Sequence, residues 1–158
     1  MSLLVRYLSI CPRMRVLIEW PVIIVVGVAG EILGWLRVPL QPYTSAVGGI
    51  LLLAGCLLHL HCHRVHRQGH EDSPEIERIV TGGAYARIRH PMYLSLVMMY
   101  FGVALAWGIV WILPPVLVVS LLTVLTAIVE EKQMLERFPQ EYAEYMKTVR
   151  RRLVPGIF

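Results

Sequence analysis

Apolar positions along the chain gather into long runs separated by short polar breaks. The first runs from about 16 to 36 and stops at Arg37, with Pro39 and Pro42 in the break that follows. The second runs from about 43 to 62 and carries Gly48, Gly49 and Gly55, small residues that let a neighbouring helix approach closely. From Met92 to Val129 the sequence is apolar almost without interruption. At about 1.5 Å per residue that is too long for one passage through a hydrocarbon core of about 30 Å. The run is therefore expected to fold back at Trp107 and Gly108, because glycine tolerates turn dihedrals and tryptophan favours a membrane interface. Helices over 92–107 and 109–129 result, with Pro114 and Pro115 opening or kinking the second. The pattern predicts an all-α, polytopic membrane protein with four transmembrane helices, the last two forming a hairpin.

The polar remainder is compact. Residues 64–90 form the one long polar interval, punctuated by Gly69, Ser73, Pro74, Gly82 and Gly83, and a short surface helix is expected from Glu71 to Arg78. After Glu130 and Glu131, Pro139 starts a further short helix in which Tyr142, Tyr145, Met146 and Val149 share one face, expected to lie on the bilayer surface.

Composition agrees with a bilayer protein: 56% of residues are hydrophobic and 16% charged. At 158 residues a single domain is expected, and the first apolar run, lacking a small-residue cleavage site, reads as a retained helix. Charge placement orients it. Of the 15 lysines and arginines, only Arg37 falls on the far side of the four-helix arrangement. The rest lie before the first helix, between Arg64 and Arg89, and from Lys132 to Arg152. The positive-inside rule then places both termini and the 64–90 loop in the cytoplasm. The net charge of +4 follows from this asymmetry and calls for no nucleic acid. The odd count of 3 cysteines argues against a disulfide framework, and Cys11 reads as an interfacial thiol rather than a palmitoylation site.

Candidate chemistry concentrates where the polar loop runs into the third helix, in TGGAYARIRHPMYL from Thr81 to Leu94. Pro91 suits a first helical position, so the loop ends at His90. Backbone donors and the positive end of the helix dipole gather there, with Tyr85, Tyr93, Arg87 and Arg89 close in sequence. A tight hairpin brings Glu130 and Glu131 to the same face. Carboxylates at that depth are costly and point to function; the competing reading is a structural ion pair between Glu130 and Arg89.

These residues resemble the integral-membrane methyltransferases, the family that includes isoprenylcysteine carboxyl methyltransferase and phospholipid N-methyltransferases. The resemblance rests on GGAYARIRHPMYL at Gly82 to Leu94, the apolar hairpin, EEKQMLERFPQEYAEY at Glu130 to Tyr145, and the ending Leu153, Val154, Pro155. It covers roughly the second half of the chain. It implies S-adenosylmethionine bound between membrane helices and cytoplasmic segments, lined by Tyr85, Arg89, His90, Pro91, Tyr93 and Leu94 and closed by Glu130 and Glu131. Glu130, Glu131 and Arg87 are the candidates for catalysis. Many relatives carry an arginine about one turn before the glutamate pair, where this chain has Thr126, Ala127, Ile128 and Val129. An amine acceptor would need Glu130 or Glu131 as base, whereas a carboxylate acceptor would need a cation such as Arg87 or those from Arg150 to Arg152. The implied acceptor is amphiphilic and arrives from the bilayer beside the third and fourth helices, near Tyr93, Val97 and Val129.

Two other classes compete. His59, His63, His66 and His70 would stack on one face of a continuous helix, with His61 and Cys62 alongside, and imidazoles so arranged can bind a transition metal. The absence of supporting carboxylates or Cys-x-x-Cys spacing makes an ordinary interfacial helix the better reading, and no metal ligand is assigned. The other is a reductase related to the sterol reductases, which share a similar membrane core and use NADPH.

Overall fold

The computed structural model describes residues 12–65 and 79–153 together with Tyr7. The expected 71–78 helix, Cys11, His66 and His70 lie outside the described residues. Within them the chain is helical, with no strand. The elements are α1 (Pro12–Ile32), α2 (Tyr43–Val65), a 3-10 turn (Gly83–Ala86), α3 (Pro91–Trp107), a second 3-10 turn (Val110–Ile112), α4 (Leu113–Arg137) and α5 (Pro139–Thr148).

Local backbone rules set most of these boundaries. Pro91 opens α3, where a missing N–H costs nothing. Gly108 closes it in the left-handed region at φ 77°, its amide bonded to the Ala104 carbonyl, a conformation that glycine adopts without a Cβ penalty. Pro114 and Pro115 fall in the opening turn of α4, and Pro139 opens α5.

The first helix departs from expectation. It spans Pro12–Ile32 rather than 16–36, so Arg15 lies inside it instead of ahead of it. Arg15 is drawn in by a partner one turn on, Glu19. At the other end the helix gives way to a turn containing Gly34, which has φ 63°.

Among the described residues two stretches are long and apolar enough to cross a membrane, α2 and the run Val110–Arg137, while α3 is a shorter apolar helix. Their outer faces carry uncovered side chains such as Ile50, Leu53 and Leu57 on α2, and Leu117, Val118 and Leu121 on α4. An apolar surface of that extent suits hydrocarbon rather than water.

The closest packing is α2 on α3. A Cβ on Gly48 would stand 2.3 Å from the Ala106 backbone nitrogen, and one on Gly102 would stand 2.6 Å from that of Leu52. Backbone therefore meets backbone here, as small-residue interfaces permit. Gly55 packs likewise against Met99 and the Ser95 carbonyl, whereas Gly49 faces open space. At the Trp107 end of the bundle, Val38 N–H donates to the Gly108 carbonyl at 2.8 Å, and Val110 N–H to that of Leu36 at 2.9 Å. These two bonds lash the α1–α2 connection to the α3–α4 turn.

The apolar face of α5 does not lie on the bilayer surface. Tyr142, Tyr145 and Val149 are buried with Met134 against Ile79, Leu135 and Phe138. The reason is that α4 continues past Val129 to Arg137 and offers Met134 and Leu135 as packing partners.

Overpacking the glycine seam with Gly48→Val or Gly102→Val should cost about 1–3 kcal/mol or more. Both should lower the melting temperature in detergent. Gly49→Ala should leave it unchanged or slightly raised, since alanine is the better helix former. Wild-type melting of Gly48→Val would contradict the close α2–α3 contact.

Candidate active site at the start of the third helix

The loop before α3 is built inward. Gly83, at φ 62°, lets the chain enter the 3-10 turn beside His61 and Val65 of α2. Tyr85 is then buried with Cys62 and Met92. Its carbonyl accepts a hydrogen bond from the Tyr145 hydroxyl at 2.8 Å. Burial pushes that hydroxyl up to about 12, so Tyr145 remains a donor at neutral pH. Burial, followed by the charges of Glu131 and Glu130, also pushes the Tyr142 hydroxyl up.

The glutamates have different surroundings. Glu131 is 3% exposed. Its Oε1 accepts from Arg89 Nε at 2.7 Å and lies 3.2 Å from His90 Nε2, while Oε2 accepts from Arg152 Nε at 3.0 Å. Arg89 also donates to the carbonyls of Val149 and Arg150 at 2.9 and 3.0 Å. The backbone repeats the link, with Arg89 N–H bonded to the Arg151 carbonyl and His90 N–H to that of Arg152, both at 2.9 Å. One carboxylate thus joins α3, α4 and the segment after α5. The structural ion pair is real, but Arg89 makes it with Glu131 rather than Glu130.

Glu130 is more open, with a quarter of its side chain exposed. Its Oε2 is buried without a hydrogen-bond partner and stands 3.7 Å from His90 Nδ1, too far for a hydrogen bond. The His90 and Tyr93 rings stack nearby, 5.5 Å between centroids and 19° apart in plane. No side chain caps the start of α3 at His90, so its first N–H groups retain the donor character of a helix N-terminus. Pro91 is buried there, Leu94 is half-buried and Arg87 is exposed.

An apolar cavity of about 420 Å³ lies between α3 and α4, lined by Leu94, Val97, Leu117, Ser120, Leu121, Val124 and Leu153. Leu94 and Leu153 sit one turn or less from the Glu131 assembly in sequence, so the cavity leads away from it into the apolar zone. Of the residues expected at a gap between these helices, Val97 lines this cavity; Tyr93 and Val129 are not in its lining.

A second buried polar group was not anticipated. Arg15 of α1 pairs with Glu19 at 3.0 Å and reaches the Thr126 hydroxyl of α4. The Tyr7 and Tyr100 hydroxyls both donate to Glu19. A guanidinium therefore does occupy the level one turn before the glutamate pair, delivered by another helix. The available signal was the four-residue spacing of opposite charges at positions 15 and 19 inside an apolar stretch.

Of the expected histidine stack, His59 and His63 are described and adjacent. His59 Nδ1 lies 2.9 Å from the Ser95 hydroxyl, and its ring meets His63 edge-on with 4.8 Å between centroids. Among the described residues no group of three or more histidine, cysteine or carboxylate side chains could hold a metal.

The family model for phospholipid methyltransferases matches residues 43–141, more than half of the chain. No curated protein and no solved structure matches.

The different surroundings of the glutamates have a measurable consequence. Glu131→Gln leaves the buried Arg89 and the half-buried Arg152 short of their counter-charge, and breaking a buried pair costs about 3–5 kcal/mol. Amide exchange at Arg89 and His90 should accelerate, because their backbone bonds to 151 and 152 loosen. Glu130→Gln should leave those amides as protected as in wild type; equal acceleration in both variants would refute the division of roles.

Proposed function

As the chain belongs to the phospholipid methyltransferase family, we propose that it transfers a methyl group from S-adenosylmethionine to an amphiphilic, lipid-like acceptor at the cytoplasmic face of a membrane. The observation that carries the reading is the buried Oε2 of Glu130, which has no hydrogen-bond partner, beside the stacked His90–Tyr93 pair and the uncapped start of α3.

These groups fit the cofactor. The N–H donors at the start of α3 suit its carboxylate, Glu130 suits its ammonium or ribose hydroxyls, and aromatic faces suit a sulfonium. When bound, the cofactor supplies an electrophilic methyl group on that sulfonium. Tyr85, His90, Pro91, Tyr93 and Leu94 would line the site, with Arg89 and Glu131 holding its walls in place. Methyl transfer is an in-line displacement, so these residues mainly align the reactants and exclude water. The acceptor's tail would occupy the cavity between α3 and α4, which keeps its head at the level of Glu130. For an amine acceptor Glu130 takes the released proton; a carboxylate acceptor needs no base. Arg87, exposed on the loop, is available to an approaching anionic head.

In this reading the protein is a single membrane-embedded domain with four crossings and cytoplasmic termini. Support comes from the lysine and arginine asymmetry and from the uncovered apolar faces. In a chain freed of its native cysteines, Arg37→Cys and Glu75→Cys should react with impermeant reagents from opposite sides of the membrane. Labelling from one side would remove the four-crossing arrangement.

Binding decides the chemistry. Purified protein titrated in parallel with S-adenosylhomocysteine, NADPH and zinc should respond to the first. No binding of S-adenosylhomocysteine would sink the reading, and a response to NADPH or zinc alone would favour the reductase or the metal-binding class. Glu130→Gln should reduce methyl transfer about 100-fold or more, the scale of a lost acid–base group or charged contact, with the fold intact. Turnover rising with pH through one ionisation would identify an amine acceptor; flat dependence near neutrality would identify a carboxylate.

A further inference from the structure

The cavity between α3 and α4 is walled by leucine and valine with one exception, Ser120. On α4 the lining positions 117, 120, 121 and 124 fall at helical spacing on one face, so the Ser120 side chain is turned toward the cavity. Its hydroxyl is not spent on its own helix. Two neighbours show the ordinary use of a hydroxyl in an apolar helix: Thr123 donates to the Val119 carbonyl and Thr126 to that of Leu122, each at 2.8 Å. Ser120, nine-tenths buried, has no hydrogen-bond partner among the described residues. A buried hydroxyl left unpaired is unfavourable, the more so where no water is at hand. Pockets that select a ligand combine an apolar wall with a few placed polar groups, and this one holds a single hydroxyl in reserve.

Position says what would satisfy it. Ser120 lies eleven residues before Glu131 in α4, which is three turns, so it faces the same side about 16 Å further into the bundle. Leu153, next to the Arg152 that binds Glu131, lines the near end of the cavity, and Leu117 lies a turn beyond Ser120. A head group held at the level of the glutamates therefore brings the middle of its chain to Ser120.

We propose that Ser120 is a specificity residue that hydrogen-bonds an oxygen carried part-way along the chain of the methyl acceptor. The acceptor so defined has a chain interrupted by an oxygen about 16 Å from its head, and it is selected over one with unbroken hydrocarbon. A serine hydroxyl donates to an ether or carbonyl oxygen and accepts from a hydroxyl, so the shared chemistry is an oxygen at a fixed depth. The assignment rests on the methyl-transfer reading and extends it from the acceptor's head to its tail.

The test uses the full chain in maltoside detergent, titrated calorimetrically with single-chain alkyl amines of equal length. One has an unbroken chain; three isomers carry one ether oxygen near the head, at mid-chain or near the tip. Comparing isomers cancels most of the difference in partition into the micelle. S-Adenosylhomocysteine is titrated separately. Wild type should bind the mid-chain ether about fivefold or more tighter than the other two isomers, equivalent to about 1 kcal/mol. Ser120→Ala should bring the three isomers within about twofold of one another, and should leave affinity for the unbroken chain and for S-adenosylhomocysteine within the same margin, worth less than about 0.5 kcal/mol. Without amphiphile this variant should melt at or above the wild-type temperature, since it loses an unpaired hydroxyl and gains the better helix former. Lower melting would show that the hydroxyl already has a partner inside the protein, and would overturn the assignment. Equal binding of the isomers by wild type, or a mid-chain preference that survives Ser120→Ala, overturns it as well. If S-adenosylhomocysteine does not bind while the mid-chain preference stands, the methyl-transfer reading falls and Ser120 remains the selector of a lipid-binding cavity.

Discussion

The buried carboxylate of Glu131 is the contact on which the rest of this end of the molecule depends. A single acidic group at the margin of an apolar bundle is unfavourable, and it persists because Arg89, Arg152 and His90 surround it. Each of those partners lies on a different stretch of chain from α4. Satisfying one charge therefore pins the start of α3 and the segment after α5 to the same point. The backbone bonds from residues 89 and 90 to 151 and 152 then follow at little further entropic cost, since the segments they join are already adjacent.

Adjacent glutamates divide the work that a pair in sequence suggests they share. Successive residues on a helix point about 100° apart, so when Glu131 turns into the arginines, Glu130 must face elsewhere, toward His90 and Tyr93. The same geometry places Thr126 on the Glu130 side, one turn along, where α1 delivers Arg15. Rigidity on one face of α4 and unfilled polar valence on the other are two results of one helix rotation.

Much of this was legible in the sequence, and the limits are physical. Pro91, Gly108 and Pro139 mark their helix ends because each acts through its own backbone, independent of distant partners. The convergence of His90 with Glu130 and Glu131 followed from the hairpin alone. What the hairpin cannot reveal is the rotation of α4, so the partner of Arg89 was open until the structure showed Glu131. The first helix was placed too late along the chain because Arg15 reads as an interfacial charge until Glu19, Tyr100 and Thr126 close around it. The face of α5 was legible as amphipathic, but amphipathicity does not say whether lipid or protein covers it.

The pairing of residues 89 and 90 with 151 and 152 also bears on the order in which the molecule is made. During synthesis the apolar helices can enter the bilayer as they emerge, and α2 can already dock against α3 through its glycines. The Glu131 assembly at the head of α3 is still incomplete at that stage, because Arg152 leaves the ribosome only after α4 and α5. Helix docking and closure of this assembly are thereby separated in time, the second waiting until the segment after α5 folds back against Arg89 and His90.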